Sequence, residues 1–265
     1  MRALFRPRRE QQQQEAAYEL VYFDTRGAAE PIRLLLSVIG VPWGDLRYPM
    51  GVAANGFALS EAYIEDRDAG SFRCNMNTLP VLRVLPSDGK GHPKLELGQS
   101  HAIARYLAAR HGLMGEGPLE AASIDSIYEC VRDVKSAWFR VKATPAGPDQ
   151  SSQARRDAKE RWFQSELAEW VVKLEAAVCA VAGHEAPHPW LVGSKVSLAD
   201  IATYHLLGTP TETMSGNTVS FFDGERDRVR AAYVGQCPRL AASVSAVSAL
   251  PRIRSWEEQR PDTFS

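Results

Sequence analysis

Near its N-terminus the chain reads Glu19-Leu20-Val21-Tyr22-Phe23-Asp24-Thr25-Arg26-Gly27, a short apolar run that ends in turn-forming residues. This order predicts a β-strand that leads into a tight turn. Pro31 suits the first turn of a helix, and apolar residues then recur at helical spacing until Gly40 and Pro42, which are typical of a helix end. A strand, a turn and a helix are therefore expected here.

Further along, a second βα pattern carries an additional strand. Leu79 to Leu85 is a clear strand pattern, the turn-rich segment 87–91 follows it, and the alternating run Lys94 to Leu97 predicts its hairpin partner. Ser100 is a good first residue for another helix. The N-terminal part thus predicts βα, a crossover without a clear pattern, and ββα.

The character of the chain changes after residue 110. A Gly- and Pro-rich segment, 111–119, reads as a linker, and beyond it the apolar residues keep helical spacing. Ser197-Leu198-Ala199-Asp200 has the form of a helix N-cap with an acid three residues on. We therefore expect a small α/β domain at 18–110 and an all-helical domain at 120–265. A flexible, basic and Gln-rich tail is expected at 1–17, with a targeting peptide as the alternative.

Composition narrows the classes of function. A formal net charge of -1 gives no overall attraction for nucleic acid. The four cysteines are far apart and lack metal-ligand spacing with the six histidines, which predicts reduced thiols, a cytoplasmic location and no metal site. No apolar run approaches the roughly 18 residues that a membrane span needs.

Five segments in this order resemble the cytosolic glutathione transferases of the tyrosine type, most nearly the sigma class, which includes glutathione-dependent prostaglandin isomerases. The segments are Tyr22-Phe23-Asp24 with the turn and helix to Arg33, Asn77 to Leu82, Leu97 to Leu107, Val196 to Asp200, and Cys237 to Leu240 with the run from Pro251 to Trp256. The resemblance implies an N-terminal thioredoxin-like domain and a C-terminal helical bundle.

The resemblance implies a catalytic role for Tyr22. A free thiol with a pKa near about 8.5 is mostly protonated at neutral pH, whereas the thiolate is the nucleophile. A tyrosine hydroxyl that donates a hydrogen bond to sulfur favours the anion. Tyr22 is the candidate, with an ordinary aromatic strand residue as the alternative. Arg26 is the candidate positive group, because Ala28 replaces a basic residue that the family often has in this turn.

Glutathione is the implied co-substrate, and its binding residues follow from the same resemblance. Gln99 and Ser100 correspond to the pair that binds the γ-glutamyl carboxylate, although Ser100 alone is also a good helix cap. Leu79, before an expected cis Pro80, would offer its backbone to the cysteinyl part. Asp133 would reach the ligand's ammonium from the neighbouring subunit of a homodimer, and its alternative is a solvated helix charge.

The segment between Tyr48 and Asn75 departs from the family pattern. It has neither the Trp nor the Lys that relatives use for the glycyl carboxylate, so Arg67 and Arg73 are the substitutes considered. The apolar residue that relatives insert into the neighbouring subunit corresponds to Met76.

The function predicted is conjugation of glutathione to small apolar electrophiles, as in detoxification. Tyr128, Trp138 and Phe139 are candidates for the electrophile pocket, with core packing as the alternative for each. A glutathione-dependent isomerase and a non-catalytic structural or assembly subunit remain open as rival functions.

Overall fold

The computed structural model describes most of the chain. The described residues are 17–53, 56–86, 91–144, 153–184, 187–208, 221–222, 225–261 and 263. The predicted tail up to residue 16 and most of the predicted turn at 87–91 lie outside them. Contacts divide the chain into two compact units, with the division between Leu107 and Ala108.

A four-stranded mixed sheet forms the centre of the first unit. Its strands are β1 (Tyr18–Phe23), β2 (Trp43–Tyr48), β5 (Val81–Val84) and β6 (Leu95–Gly98), in the order β2-β1-β5-β6. β2 runs parallel to β1, while β1 with β5 and β5 with β6 are antiparallel. A separate two-stranded antiparallel sheet is formed by β3 (Met50–Ala53) and β4 (Gly56–Leu59).

Three helices accompany this sheet, of which the first and the third lie where the sequence predicted a helix. They are α1 (Glu30–Ile39), α2 (Glu61–Asp68) and α3 (Ser100–Arg110). Pro31 lies in the first turn of α1, and Gly40 ends the helix with φ 73°, a left-handed conformation that glycine adopts without steric cost. Ile32, Leu35 and Leu36 on the apolar face of α1 are fully buried and Ile39 at its end is partly buried, so the spacing seen in the sequence is the spacing of the core.

The unpatterned crossover contains β2, β3, β4 and α2. β2 lacks a clear strand pattern because it contains the charged residues Asp45 and Arg47. Asp45 accepts hydrogen bonds from Arg47 at 2.7 Å and from the buried Arg33 of α1 at 3.0 Å. Ion pairs that are satisfied inside the fold cannot be recognised from hydrophobic periodicity.

The second unit is helical in the part that the structure describes. Its helices are α4 (Pro118–Lys142), α5 (Gln153–Arg161), α6 (Leu167–Ala182), α7 (Leu198–Leu207), α8 (Arg226–Tyr233), α9 (Pro238–Ser248) and α10 (Pro251–Gln259). α4 packs on α6 and α7, and α7 packs on α9. Among the described helices, none is long and apolar enough to cross a membrane.

The cap predicted for α7 is formed as a capping box. Asp200 accepts from the Ser197 backbone N–H at 2.9 Å and from the Ser197 hydroxyl at 2.6 Å, and its other oxygen accepts from the Leu191 N–H at 2.8 Å and the Ser243 hydroxyl at 2.7 Å.

The predicted fold class, a mixed α/β domain followed by an all-helical domain, is confirmed. Helix α4 begins at Pro118, within the segment expected to be a linker.

Candidate functional site

Three of the predicted site segments lie at the same end of the first unit's sheet, which is called the sheet edge below. Val21 of β1 pairs with Val81 of β5, and Val81 pairs with Gly98 of β6. Tyr22 follows Val21, Pro80 precedes Val81, and Gln99 follows Gly98. Because β5 is antiparallel to both of its neighbours, these three residues lie at the same end of the sheet. Since neighbouring strands are about 4.8 Å apart, the backbones of the two outer residues are separated by about 10 Å.

The hydroxyl of Tyr22 lies inside the turn that follows β1. The Ala28 backbone N–H donates to Tyr22 Oη at 3.2 Å. Gly27 has φ 37°, and a Cβ at this position would lie 2.6 Å from the same oxygen. A hydroxyl that accepts one hydrogen bond still has its own O–H to donate. The turn thus fixes the position of the tyrosine oxygen and leaves its proton for a ligand.

Arg33 of α1 stabilises this turn. It was not identified as a site residue from the sequence. Its side chain is 0% exposed and donates to the backbone oxygen of Thr25 at 2.8 Å, while it pairs with Asp45 at 3.0 Å. Its guanidinium also lies 5.9 Å from the centre of the Tyr22 ring. The helical position of Arg33 on an apolar face was the available signal, because a charge there needs a buried partner.

Arg26, the positive group expected near the ligand, is buried. Its backbone oxygen accepts from the Glu30 N–H at 2.9 Å and helps to join the turn to α1. Ala28, by contrast, is exposed. The turn therefore presents a backbone N–H to Tyr22 and no exposed basic side chain at position 26.

The Leu79–Pro80 peptide bond is cis, as the resemblance implied. The Leu79 side chain packs against a core cluster that includes Val21 and Tyr48. Among the described residues, neither the backbone N–H nor the C=O of Leu79 has a hydrogen-bond partner. An extended backbone with a free donor and a free acceptor suits the recognition of another peptide backbone.

Gln99 and Ser100 stand where β6 ends and α3 begins. Gln99 is exposed and adopts φ 66°. Its side-chain nitrogen donates to Asn75 Oδ1 at 2.8 Å, which engages one of the two amide hydrogens and leaves the other for a ligand. Ser100 is the first residue of α3, whose N-terminus favours negative charge.

Three other residues were predicted to contact the ligand. Asp133 is exposed on α4 of the second unit. Arg67 pairs with its neighbour Asp68 at 2.8 Å on the surface of α2, and Arg73 is exposed close to Gly70.

Two of the three aromatic residues considered for an electrophile pocket are core residues, which is the alternative that the sequence left open for them. Tyr128 is buried, and Trp138 is 1% exposed and packs against Trp162, with ring centres 5.6 Å apart. Phe139 is 56% exposed and contacts the edge of Phe221. Of these three residues, only Phe139 can contact a ligand without rearrangement of the core.

The cysteines do not supply an activated thiol. Burial raises the pKa of the thiols of Cys74, Cys130 and Cys179, and it raises the pKa of Cys237 to about 11. A thiol with a raised pKa is less nucleophilic at neutral pH because less of it is ionised. No cluster of possible metal ligands occurs among the residues whose positions are described.

Comparison with known proteins identifies the relatives of this chain. The family model for the glutathione S-transferase C-terminal domain matches residues 132–260. Hematopoietic prostaglandin D synthase of Gallus gallus is 27% identical over 248 residues, 93% of this chain and 98% of that protein. The class-mu 28 kDa glutathione S-transferase isozyme of Schistosoma japonicum is 30% identical over 185 residues, 69% of this chain and 75% of that protein.

The solved structures that resemble this chain include the sigma class transferase of Fasciola hepatica. Its TM-score is 0.65 at 19% identity, with 94% of this chain and 99% of that chain covered, and this likeness concerns the fold. The sequence matches span both units. The chain belongs to the glutathione S-transferase family.

Proposed function

We propose that this protein is a glutathione transferase that binds glutathione at the sheet edge of the first unit and activates its thiol through Tyr22. The observation that carries the proposal is the Tyr22 hydroxyl, held at 3.2 Å by the Ala28 N–H at the same edge as the Leu79–Pro80 segment and Gln99. Family membership supports glutathione as the ligand.

The chemistry asked of Tyr22 is stabilisation of an anion. The glutathione thiol loses its proton to solvent, and the tyrosine O–H donates to the sulfur that remains. The N–H of Ala28, by accepting electron density from the phenolic oxygen, strengthens that donor. The thiolate then attacks an electrophilic carbon: a sulfur–carbon bond forms, and a leaving group departs with its bonding electrons.

The remaining site residues are proposed to bind the peptide part of glutathione. Gln99 donates its second amide N–H to the γ-glutamyl carboxylate, beside Ser100 and the positive end of α3. Leu79 exchanges backbone hydrogen bonds with the cysteinyl part. Asp133 of a second subunit pairs with the ammonium, and the buried charge of Arg26 adds positive potential beneath the turn.

A glutathione-dependent isomerase is the second candidate. It is supported by the likeness to a prostaglandin D synthase, which extends over 93% of this chain. An isomerase would use the same thiolate but return it as a thiol at the end of the cycle. The two candidates therefore share a glutathione site and differ in the second substrate.

Calorimetry with glutathione, followed by two assays, tests the proposal. A transferase binds glutathione and conjugates an aryl halide, and an isomerase binds it and converts a prostaglandin endoperoxide without consuming glutathione. Glutathione binding with neither reaction would identify a non-catalytic relative. Absence of glutathione binding by the folded protein would refute the proposed function.

A further inference from the structure

The side-chain amide of Asn75 joins the two proposed glutathione-binding segments. Asn75 is 3% exposed and ends a short helical turn before the Leu79–Pro80 bond. Its Nδ2 donates to the carbonyl of Thr78 at 3.2 Å and to that of Pro80 at 2.9 Å. Its Oδ1 accepts from the backbone N–H of Gln99 at 3.1 Å and from Gln99 Nε2 at 2.8 Å.

These contacts determine which way both amides face. A backbone carbonyl only accepts, so the end of the Asn75 side chain that faces Thr78 and Pro80 must be its NH₂ group. The other end is then its oxygen, which requires Gln99 to turn its own NH₂ group toward it. The orientation of the Gln99 amide therefore originates in the two carbonyls that flank Leu79.

The Asn75 side chain lies directly against Gly98 at the end of β6. A Cβ on Gly98 would lie 2.3 Å from the Cβ of Asn75 and 2.7 Å from its Oδ1. Gly98 is the last residue of β6, directly before Gln99. The absence of a side chain at Gly98 allows the Asn75 amide to approach the strand end.

We infer that Asn75 is a positioning residue for glutathione, which sets the Gln99 amide as a hydrogen-bond donor and holds the Leu79 backbone in register with it. The inference rests on the proposed function. Asn75 itself uses both amide hydrogens and accepts two bonds within the protein, so its effect on a ligand passes through Gln99 and Leu79.

A double-mutant cycle on glutathione affinity tests this role. We expect Asn75→Ala to weaken glutathione binding about tenfold in the wild-type background. In the Gln99→Ala background the same change should cost at least about threefold less, because part of its effect no longer has a carrier. In steady-state assays the KM for glutathione should rise while kcat stays within about twofold.

Asn77→Gly is the matched control. It removes the same amide group two residues further along the loop, and glycine tolerates the φ of 57° found at Asn77. Its glutathione affinity should stay within about twofold of wild type. Asn75→Leu, which is similar in size and removes both the acceptor for Gln99 and the donors to Thr78 and Pro80, provides a second variant if Asn75→Ala fails to fold.

The outcomes separate this inference from the proposed function. Additive effects in the cycle, or folded Asn75 variants that bind glutathione as tightly as wild type, would overturn the positioning role and leave the transferase proposal intact. If the wild-type protein itself binds no glutathione, both fall together.

Discussion

Substitution of Tyr22 by Phe removes the hydroxyl proposed to stabilise the thiolate and leaves the ring in place. The ring contacts Phe23 edge-on at 5.5 Å and lies 5.9 Å from the Arg33 guanidinium, and neither contact needs the oxygen. The Ala28 N–H loses its acceptor, but it is exposed and water can replace the hydroxyl. Fold stability and glutathione affinity should therefore change little.

The magnitude follows from the hydrogen bond to sulfur. If that bond lowers the thiol pKa by one to two units, its loss removes about 1.4 to 2.7 kcal/mol of stabilisation of the thiolate. At pH 7 the ionised fraction of the bound thiol then falls from between about 0.2 and 0.8 to about 0.03, so the conjugation rate should fall roughly eightfold to 25-fold. The rate should recover as the pH is raised toward about 8.5 and beyond, because solvent then ionises the thiol without help.

The assay is a pH–rate profile for conjugation at saturating glutathione, for wild type and Tyr22→Phe. Tyr106→Phe is the matched control, since it deletes the hydroxyl of a half-buried tyrosine on α3 in the same unit. Its profile should match wild type. Coincident profiles for wild type and Tyr22→Phe would refute the reasoning and leave Tyr22 as a packing residue.

Three further predictions concern the turn, a buried thiol and the quaternary structure. Gly27→Ala should lower the conjugation rate toward that of Tyr22→Phe while glutathione affinity measured by calorimetry persists, because its Cβ would displace the hydroxyl. For Cys237, burial raises the thiol pKa to about 11, above the value of about 8.5 expected in an unfolded chain. The stability that the buried Cys237 thiol contributes is therefore complete below about pH 8.5 and is lost as the pH rises toward about 11. The melting temperature should fall more steeply over this pH range for wild type than for Cys237→Ala. Equal slopes would contradict the raised pKa of Cys237. We expect a homodimer in sedimentation velocity and a shift toward monomer for Met76→Glu, since Met76 is 80% exposed; a wild-type monomer would exclude this interface.

The parts of the fold that could be predicted from the sequence are those with local patterns. A few consecutive residues are enough to predict each of four features: β1, α1, the hairpin of β5 and β6, and the capping box at Ser197. The spacing of apolar residues and the placement of caps report directly on burial and on free amides, so little tertiary information is needed.

The parts that could not be predicted depend on partners far along the chain. β2 was missed because Asp45 and Arg47 are charged, and they become compatible with burial only when Arg33 of α1 joins them. Asn75 carried no local signal, since its four hydrogen bonds reach Thr78, Pro80 and the distant Gln99.

Helical periodicity also predicts which residues share the apolar face of a helix, but it does not predict how deeply each of them is buried. Trp138 and Phe139 are adjacent on α4 and were equal candidates for a ligand pocket. Trp138 is enclosed by aromatic rings from other elements, including Trp162 and Phe222, whereas Phe139 is exposed. Which of the two faces solvent depends on Trp162, between α5 and α6, and on Phe222, before α8, and the sequence of α4 does not reveal where these residues lie.

The most direct test of the central claim is an ultraviolet titration of the thiol of glutathione bound to the wild-type protein. The Tyr22 hydroxyl, positioned by the Ala28 N–H, should favour the thiolate, so the bound thiol should ionise one to two units below the value of about 8.5 for a free thiol. A bound thiol that ionises at the same pH as free glutathione would contradict the account.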